Sequence, residues 1–576
     1  MQPDAVHSGR SSATRRMSWI ALVCVAVLAA APLLWQLGAR YLWQDEAACA
    51  VLAERLMQTG KPLGYDGRNL ITMDEYRPQD GPELMRLAHD EQRTIEHFVE
   101  HGDFKPDTTW IGQPWGQFVI AGLSLELFGK DTLQARLPFA LAAVMTVVLL
   151  FHFVRSRFAD QRLAWIAVAL LLTNTYWFLH VRQCRYYSTA TLGLLATLVA
   201  YWRWQERKRF GAALFVVCGW LWFHNDFGSP WPVFGILLFD ALRAARERWR
   251  GTLTTFAILG ATIAPFVFFY GLATRVKTSF KPWDFKFVWT LVATNEYQLP
   301  LIVGAAAAWC FFRDRRKGPS LERRIVGCCL AIVGAKLLWM PTVGPAPFYR
   351  YVVDLTPLSS LIVAYAFTSI AASILASPLW STVLASALAA VQIVSAVFAE
   401  PVTQMVSTFS RPYGAPGWFV RSELTSYAAE LIANAPDPNR EAIEFLRPRL
   451  RPEDEILVNY EDVPWMFYVP NRIRGGIPAF RALDDNAPPP RFVVFRPSAQ
   501  FTHTPIYTLA LGGVVNREKY DNLYWDERRW DRLPAHVLSM IWGNNPDPGY
   551  DFTHTLEKLE EFGNPEVLFL EARGAK

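Results

Sequence analysis

The run MSWIALVCVAVLAAAPLLWQL, Met17–Leu37, is followed closely by YLWQDEAACAVLAERL, Tyr41–Leu56. The first stretch has about 20 mainly apolar residues, enough to cross a bilayer as a helix. The second places two adjacent carboxylates, Asp45 and Glu46, just after that crossing. The basic stretch SATRRM before the run is also typical of a signal peptide. The run is longer than a usual signal core, however, and its small-residue stretch, Ala29–Ala31, lies inside it. We therefore expect an uncleaved helix with a cytoplasmic N-terminus.

The composition indicates an integral membrane protein. Hydrophobic residues make up 52% of the 576 residues and charged residues only 19%, so long stretches lack charge. This balance excludes a disordered chain and a nucleic-acid-binding protein. The net charge of +5 reflects basic residues clustered in short loops rather than an acidic partner.

Ten further apolar runs follow along the chain, some of them short for a full membrane crossing. They lie at Leu133–Val154, Leu163–Leu179, Ala190–Trp204, Ala212–Phe223, Trp231–Leu242, Thr252–Leu272, Leu299–Phe312, Ile325–Met340, Val352–Ile370 and Ser381–Phe398. Together with the first run they predict a mainly α fold, a polytopic membrane bundle of about 11 transmembrane helices.

Four loops between these runs are strongly basic: RSRFADQR, RWQERKRF, RAARERWR and FRDRRKGPSLERR. If the N-terminus is inside, all four fall in the cytoplasm, as the positive-inside rule requires. The same parity places Asp45 outside. It also gives a large external first loop, 38–132, with a polar helix candidate, PELMRLAHDEQRTIEHFVEHG. The apolar stretch QPWGQFVIAGLSLELFG in this loop is short for a span, and we interpret it as an interfacial helix.

The chain is therefore expected to have three parts. Residues 1–16 form a cytoplasmic tail, 17–398 a transmembrane catalytic domain, and 399–576 an external, periplasmic α/β domain. In the last part, strand-like runs such as EILVNY, RFVVFRP and EVLFLEA alternate with helical ones such as THTLEKLEEFG. No Asn-x-Ser/Thr glycosylation acceptor occurs, which favours a bacterial inner membrane.

The spacing of the cysteines and histidines predicts neither a disulfide framework nor a zinc site. Five cysteines lie in apolar runs, where a buried thiol usually acts as a small hydrophobic group: Cys24, Cys218, Cys310, Cys328 and Cys329. Cys49 and Cys184 fall on the predicted exterior, but nothing in their spacing requires a bond or a metal.

Several arginines and tyrosines share the predicted outer face with Asp45 and Glu46. They are Arg136, Arg182, Arg185, Tyr186, Tyr349 and Arg350. Arginines are normally concentrated on the cytoplasmic side, so these require an explanation. One explanation is anchoring at lipid headgroups. The other is phosphate binding, because the guanidinium fork matches phosphate oxygens. The two acids are likewise either solvated groups at a helix exit or catalytic groups.

The stretch DEAACAVLAERL resembles the Asp-Glu signature of the glycosyltransferases of GT-C fold, which use lipid-phosphate sugars. This group includes the dolichyl-phosphate-mannose–protein mannosyltransferases (glycosyltransferase family 39) and the bacterial aminoarabinose and arabinofuranose transferases. The similarity continues through GQPWGQFVIAGLSLELFGKDTLQARLPFALAAV, HVRQCRYYSTATLGLLATLVAYW and FYRYVVDLTPL. It covers most of Tyr41–Trp202 and a patch near Arg350. Many relatives have Lys-Pro-Pro or Glu-Lys-Pro where this chain has QPW from Gln113, so a phosphate-binding lysine and a metal carboxylate are missing.

The resemblance implies roles for the acidic and basic residues. Asp45 would act as general base with Glu46 beside it as a second catalytic candidate, while the six outer arginines and tyrosines would bind the donor phosphate. Weaker candidates for the substrate pocket are Gln113, His224, Asp226 and Lys336, the last an ionisable residue within a span. No metal site is predicted, and a divalent metal is not supported.

We therefore expect an inverting membrane glycosyltransferase that uses a polyprenyl-phosphate-linked sugar donor. Its expected partners are an envelope glycan, a glycolipid or a protein acceptor, together with membrane lipids and no nucleic acid. Two alternatives remain: a multispanning transporter or flippase, and a non-catalytic envelope-assembly subunit. A transporter would be expected to have paired inverted repeats, and the sequence has none that we detect. The sequence does not identify the sugar or the acceptor.

Overall fold

The structure is a computed structural model. It describes residues 12–71, 91–100, 103–158, 160–244, 246–272, 285–314, 318, 320–343, 349–403, 405, 428, 431–432, 437–458, 461–475, 490–495, 520–522 and 568–573. The described part is mostly helical, with a small sheet formed by C-terminal residues.

Eighteen α-helices account for most of the described residues. They are α1 (Ser12–Leu34), α2 (Gln44–Thr59), α3 (Glu91–Glu100), α4 (Gly116–Phe128), α5 (Thr132–Arg157), α6 (Gln161–Leu172), α7 (Thr175–Val181), α8 (Tyr187–Gln205), α9 (Gly211–Phe223), α10 (Pro230–Ala244), α11 (Trp249–Phe269), α12 (Phe285–Tyr297), α13 (Leu301–Asp314), α14 (Leu321–Val343), α15 (Thr356–Ile374), α16 (Pro378–Val394), α17 (Pro438–Leu446) and α18 (Asp462–Tyr468). Short 3₁₀ helices cover Arg246–Arg248, Tyr349–Leu355 and Arg447–Arg449.

Each of the eleven predicted apolar runs lies on helix in the structure. Among the described residues, four helices are individually long and apolar enough to cross a membrane: α5, α11, α14 and the Arg350–Ile374 segment. The pair α6 and α7 would make a fifth, bent by 68° at its break. The other predicted runs form shorter or less apolar helices, so the number of about 11 crossings stays a prediction.

The break between α6 and α7 has a local cause. The side chain of Asn174 accepts a hydrogen bond from the backbone N of Trp177 at 2.8 Å, which caps the start of α7. Helix α7 ends at Val181, only seven residues long, and the loop after it carries Arg182 and Arg185. The bend therefore determines where this loop begins.

The first loop contains the interfacial helix candidate as α4. Its first residue, Gly116, donates a backbone hydrogen bond to the carbonyl of His224 at 2.9 Å. A Cβ at this glycine would lie 2.3 Å from the same carbonyl oxygen, so only glycine permits the close approach. Helix α3 covers the later part of the predicted polar helix, and the earlier part lies outside the described residues.

The described residues of the C-terminal region form five strands, and EILVNY, RFVVFRP and EVLFLEA are confirmed as sources of three of them. The strands are β1 (Glu455–Val458), β2 (Arg472–Arg474), β3 (Phe492–Phe495), β4 (Tyr520–Asn522) and β5 (Leu568–Ala572). Their order in the sheet is β2-β1-β3-β5-β4. Strand β1 runs parallel to β2 and β3, whereas β5 runs antiparallel to β3 and β4. The predicted helix THTLEKLEEFG lies outside the described residues.

The buried apolar side chains form two clusters. One fills the helical bundle. The other joins the first loop to the C-terminal sheet, because Leu52 of α2 and Phe118 of α4 belong to the same cluster as Val458 of β1 and Trp465 of α18. The domain boundary predicted at residue 399 stays a prediction, but the C-terminal sheet and the first loop share one core.

Polar contacts at this shared core hold the start of α2. The backbone N of Leu42 donates to the hydroxyl of Tyr468 at 2.8 Å, and Gln44 Nε2 donates to Asp462 Oδ1 at 2.7 Å. The rings of Tyr41 and Tyr468 stack with their centroids 3.8 Å apart. The residues just before Asp45 are thus fixed by C-terminal residues of the chain.

Candidate functional site

Asp45 lies in the first turn of α2 and forms ion pairs with two arginines from distant parts of the chain. Arg185 Nη2 and Arg350 Nη1 each lie 3.2 Å from Asp45 Oδ2. Arg185 Nη1 also donates to the backbone carbonyl of Asp45 at 3.3 Å. Arg185 comes from the loop between α7 and α8, and Arg350 from the 3₁₀ helix before α15. We refer to these three residues as the Asp45 cluster.

The Asp45 cluster is largely buried and carries an excess positive charge. The side chains of Arg185 and Arg350 are 5% and 12% exposed, and that of Asp45 is 27% exposed. Two guanidiniums facing one carboxylate leave one positive charge in excess. Burial lowers the pKa of Arg185, but Asp45 and the neighbouring Tyr187 and Tyr186 together outweigh it, so the net pKa is raised. The cluster therefore suits an additional anion with oxygens that a guanidinium fork can bind.

Gln113, one of the residues predicted to line a substrate pocket, lies beside the Asp45 cluster. Its Oε1 accepts a hydrogen bond from Arg185 Nη1 at 3.5 Å, near the limit for such a bond. Gln117, one turn further on in α4, donates to the same oxygen at 3.4 Å. The QPW motif thus places an amide near Arg185.

Tyr187, which lies on the predicted outer face, and His180 have no predicted role but lie close to the Asp45 cluster. Tyr187 is 1% exposed, its ring is 6.0 Å from the guanidinium of Arg185, and it meets the ring of His180 edge-on at 5.1 Å. Among the described residues, neither the Tyr187 hydroxyl nor His180 Nε2 has a hydrogen-bond partner. Buried polar atoms are rarely left unpaired. Both residues belong to the HVRQCRYYS stretch, in which Tyr187 directly follows Tyr186, a residue predicted to bind phosphate.

Glu46 differs from its neighbour Asp45 in its surroundings. It is fully buried, and its two carboxylate oxygens accept from Arg136 Nε at 2.8 Å and Nη2 at 2.6 Å. The backbone N of Cys184 donates to Glu46 Oε1 at 2.7 Å. This geometry gives Glu46 no opening toward a substrate. A direct catalytic role for Glu46 is not supported. Its contacts instead support a role in positioning Arg136 and the backbone of Cys184.

Arg136 has no donor left for a phosphate. Besides its two bonds to Glu46, its Nη1 donates to the carbonyls of Leu37 and Arg40, and its Nη2 to the carbonyl of Tyr41. These carbonyls lie in the segment between α1 and α2. The phosphate-binding role predicted for Arg136 is therefore not supported, and its contacts instead fix α5 against the start of α2.

The remaining residues predicted to bind phosphate are distributed unevenly. Arg182 donates to the carbonyls of Leu33 and Trp35, at and just after the end of α1. Tyr186 precedes Tyr187, and the two rings lie 4.7 Å apart. Tyr349 begins the 3₁₀ helix that carries Arg350, and its side chain lies outside the described part of the structure.

Lys336, predicted as a pocket candidate, forms a buried ion pair. Its Nζ donates to Asp354 Oδ1, and both side chains are nearly inaccessible. It also donates to Ser229 Oγ at 2.7 Å, and that serine donates to Asp226. Because Asp354 and Arg350 share one 3₁₀ helix, the Lys336–Asp354 pair fixes the helix that presents Arg350. A removed partner would leave a buried charge uncompensated.

The two other pocket candidates have local contacts. Asp226 Oδ1 accepts from the backbone N of Gly228 at 2.9 Å and of Ser229 at 3.2 Å, just before α10. The ring of His224 meets Phe266 edge-on at 4.3 Å, and its carbonyl binds Gly116. Within the described part of the chain, neither side chain forms a hydrogen bond or ion pair with a member of the Asp45 cluster. Within the described ranges, no group of three or more His, Cys, Asp or Glu side chains is placed to hold a metal ion.

Residues 112–269 match the family model for dolichyl-phosphate-mannose-protein mannosyltransferases. The matched segment includes Gln113, Arg185 and Tyr187 but neither Asp45 nor Arg350. No curated protein matches the full sequence at a significant level.

Two similar solved structures share the fold. The crystal structure of ArnT from Cupriavidus metallidurans bound to undecaprenyl phosphate matches with a TM-score of 0.53 and 13% identity, over 89% of this chain and 97% of that chain. The same protein in the apo state matches with a TM-score of 0.51 and 12% identity, over 90% and 97% of the two chains. At this identity the likeness establishes the fold, and it confirms the predicted GT-C architecture.

Proposed function

We infer that this chain, a glycosyltransferase of GT-C fold by its family match and its architecture, transfers a sugar from a polyprenyl-monophosphate donor. The similar ArnT structure holds undecaprenyl phosphate, and the donor class is carried over from that likeness as part of the proposal. The expected acceptor is an envelope glycan, a lipid or a protein. A transporter and an assembly subunit are less well supported, because neither accounts for the family match.

The observation that carries the proposal is the Asp45 cluster. A phosphate monoanion or diester would find two buried guanidiniums within reach of one another, both already converging on Asp45 Oδ2. Charge-assisted bonds to phosphate are about twice as strong as neutral ones. Arg185 and Arg350 are therefore proposed to bind the donor phosphate, with Gln113 and Tyr187 at the edge of the same site.

Asp45 is proposed as the general base. The donor phosphate is proposed to bind Arg185 and Arg350 as an additional anion, so that Asp45 lies beside the phosphate and can accept a proton from the acceptor hydroxyl. Asp45 is the most exposed member of the cluster, at 27%, so an acceptor hydroxyl can approach it.

The proposed reaction is a single displacement with inversion. The acceptor oxygen attacks the anomeric carbon, and the bond from that carbon to the phosphate oxygen breaks. The acceptor's proton passes to Asp45, and polyprenyl phosphate leaves as an anion. Because Arg185 and Arg350 already balance the charge of the leaving phosphate, its protonation is not needed.

Glu46 and Arg136 are proposed to position this machinery rather than to contact substrate. Glu46 binds the backbone of Cys184, the residue before Arg185, while Arg136 binds the segment before α2. The pair thus connects α2, which carries Asp45, with α5 and with the loop that carries Arg185. Lys336 is proposed to act similarly for Arg350 through Asp354.

The site is proposed to face the periplasm of a bacterial inner membrane, with the N-terminus in the cytoplasm. The four basic loops support this orientation. A reporter that works only in an oxidising exterior, fused after Lys576, is expected to be active, and one fused after Arg248 is expected to be inactive. Activity at Arg248 would reverse the orientation and place Asp45 inside.

The decisive test is transfer by the purified chain from polyprenyl phosphates that carry labelled hexose, pentose or amino sugar. If Asp45 is the base, Asp45→Asn is expected to lower turnover roughly 10²–10⁴-fold, the usual contribution of a positioned base. Donor binding is expected to change little, because the phosphate contacts come from arginines.

A matched control is Asp107→Asn. Asp107 lies in the same first loop but is 49% exposed. It pairs with exposed Lys61 at 2.6 Å and accepts from the backbone N of Thr109 at 3.2 Å, so this variant is expected to keep the parental rate. If Asp45→Asn, folded and binding donor, turned over at the rate of Asp107→Asn, the proposed role of Asp45 would be wrong.

A further inference from the structure

Cys49 and Cys184 lie together directly behind the proposed site. Cys49 is on α2, one helical turn after Glu46, and Cys184 is in the loop after α7. Both are fully buried and belong to the same apolar cluster. They are far apart in sequence, so the fold brings them together.

A hydrogen bond between Glu46 and the backbone of Cys184 brings the two cysteines close to each other. The backbone N of Cys184 donates to Glu46 Oε1 at 2.7 Å. Glu46 and Cys49 are three residues apart on one helix and therefore lie on the same face. The Cys49 thiol is also among the neighbours that raise the pKa of the Cys184 thiol. Such close thiols on two separate elements suit a covalent link.

Each cysteine is close in sequence to a member of the Asp45 cluster. Cys49 follows Asp45 by one turn of α2, and Cys184 directly precedes Arg185. A bond between the sulfurs would therefore tie the helix of Asp45 to the loop of Arg185. It would maintain the spacing that now depends on ion pairs and on the Glu46 hydrogen bond.

Other uses of the two thiols fit less well. Burial raises the pKa of Cys184 well above its ordinary value, with Cys49 and Glu46 adding to the effect, so a reactive thiolate is disfavoured. No group of three metal-ligating side chains occurs among the described residues.

We propose that Cys49 and Cys184 form a disulfide that fixes α2 to the Arg185 loop. The inference rests on the proposed periplasmic placement, because disulfides persist in oxidising compartments. The two thiols give up two protons and two electrons to a protein disulfide by thiol–disulfide exchange, forming one S–S bond while that disulfide is reduced to two thiols. Since both sulfurs are buried in the folded chain, the exchange occurs before the core closes.

The test is differential labelling of the full chain in cells. Acid quenching, then N-ethylmaleimide in denaturant, labels all free thiols. Reduction and a second, heavy maleimide then label the thiols that had been oxidised. Mass spectrometry is expected to find the heavy label on Cys49 and Cys184 in most molecules, and the first label on the five other cysteines.

Variants distinguish a bond between Cys49 and Cys184 from incomplete reaction of each thiol with the first label. In Cys49→Ser, Cys184 is expected to take the first label, and the reciprocal result is expected for Cys184→Ser. The control Cys310→Ser, another buried cysteine, is expected to leave the heavy label in place. The first label on both Cys49 and Cys184 of the parent chain would overturn the inference.

This outcome is separable from failure of the proposed function. If the two cysteines are reduced in a chain that transfers sugar and has an external C-terminus, only the disulfide proposal is wrong. If the two cysteines are oxidised in a chain that transfers no sugar from any polyprenyl phosphate, only the proposed activity is wrong.

Discussion

Glu46→Gln tests the distinction between the two adjacent acids more sharply than any change at Asp45. The substitution keeps the size of the side chain but removes its charge, and it places an amide NH₂ against two donors. Glu46 Oε1 accepts from Arg136 Nε and the backbone N of Cys184, and Oε2 accepts from Arg136 Nη2 and, at 3.5 Å, from the backbone N of Trp43. After the substitution only one side-chain oxygen remains to accept.

The expected cost follows from burial. Glu46 is completely inaccessible and Arg136 is 12% exposed, so Glu46→Gln leaves a buried guanidinium without its counter-charge. Removal of one partner of a buried ion pair costs about 3–5 kcal/mol of folding free energy. Turnover is expected to fall as well, because Cys184 and Arg185 lose their anchor. Asp45→Asn should lower turnover with a smaller loss of stability, because Asp45 is 27% exposed and its two ion pairs are longer, at 3.2 Å.

The same substitution at Glu54 provides the control. Glu54 is on the same helix, α2, and pairs with Lys130 at 2.8 Å, but the two side chains are 28% and 43% exposed. An exposed pair of this kind contributes about 0.2–1 kcal/mol. The assay is equilibrium unfolding in mixed detergent micelles, followed by tryptophan fluorescence. A loss at Glu46→Gln no larger than at Glu54→Gln would refute the buried-pair reasoning.

Three further predictions follow from the site and from the C-terminal domain. Arg350→Ala is expected to weaken donor binding by about 1.5–3 kcal/mol, the value of a hydrogen bond to a charged group. Arg350→Lys should recover only part of this binding free energy, because lysine lacks the guanidinium fork. Titration calorimetry with polyprenyl phosphate measures the affinity of both variants. Tyr187→Phe removes a buried hydroxyl without a partner among the described residues, so stability should be unchanged while KM for the donor rises; an unchanged KM would remove Tyr187 from the site. Burial raises the pKa of Asp462 to about 6 from 3.8, so the folded state binds the proton more tightly and stability should fall as pH rises from about 4 to 6. Asp462→Asn should remove that slope, which pH-dependent unfolding would reveal.

Much of the fold follows from the sequence because apolar runs directly reflect the thickness of a membrane. The runs at Leu133–Val154 and Thr252–Leu272, for example, correspond closely to α5 and α11. The strands were predictable for a similar reason, since short β-branched runs such as EILV suit a buried parallel sheet. What the runs do not specify is the packing partner of each element.

The site was predictable in composition but not in arrangement. The resemblance singled out Asp45, Arg185 and Arg350, and these three converge. It also singled out Glu46 and Arg136, which pair with each other instead. Successive residues on a helix point about 100° apart, so Asp45 and Glu46 necessarily face different surroundings. Which of them faces the arginine pair depends on the rotation of α2, and that depends on residues distant in sequence.

The shared core of the first loop and the C-terminal sheet has a consequence for synthesis. Tyr41 and its partner Asp437 are separated by 396 residues, so the ribosome needs roughly 20–80 s to make the second after the first, at about 5–20 residues per second. During that interval the helix that carries Asp45 is already made but lacks the groups that fix its start. A chain terminated between Arg350 and Asp437 therefore holds every residue of the Asp45 cluster without the C-terminal groups that support their geometry.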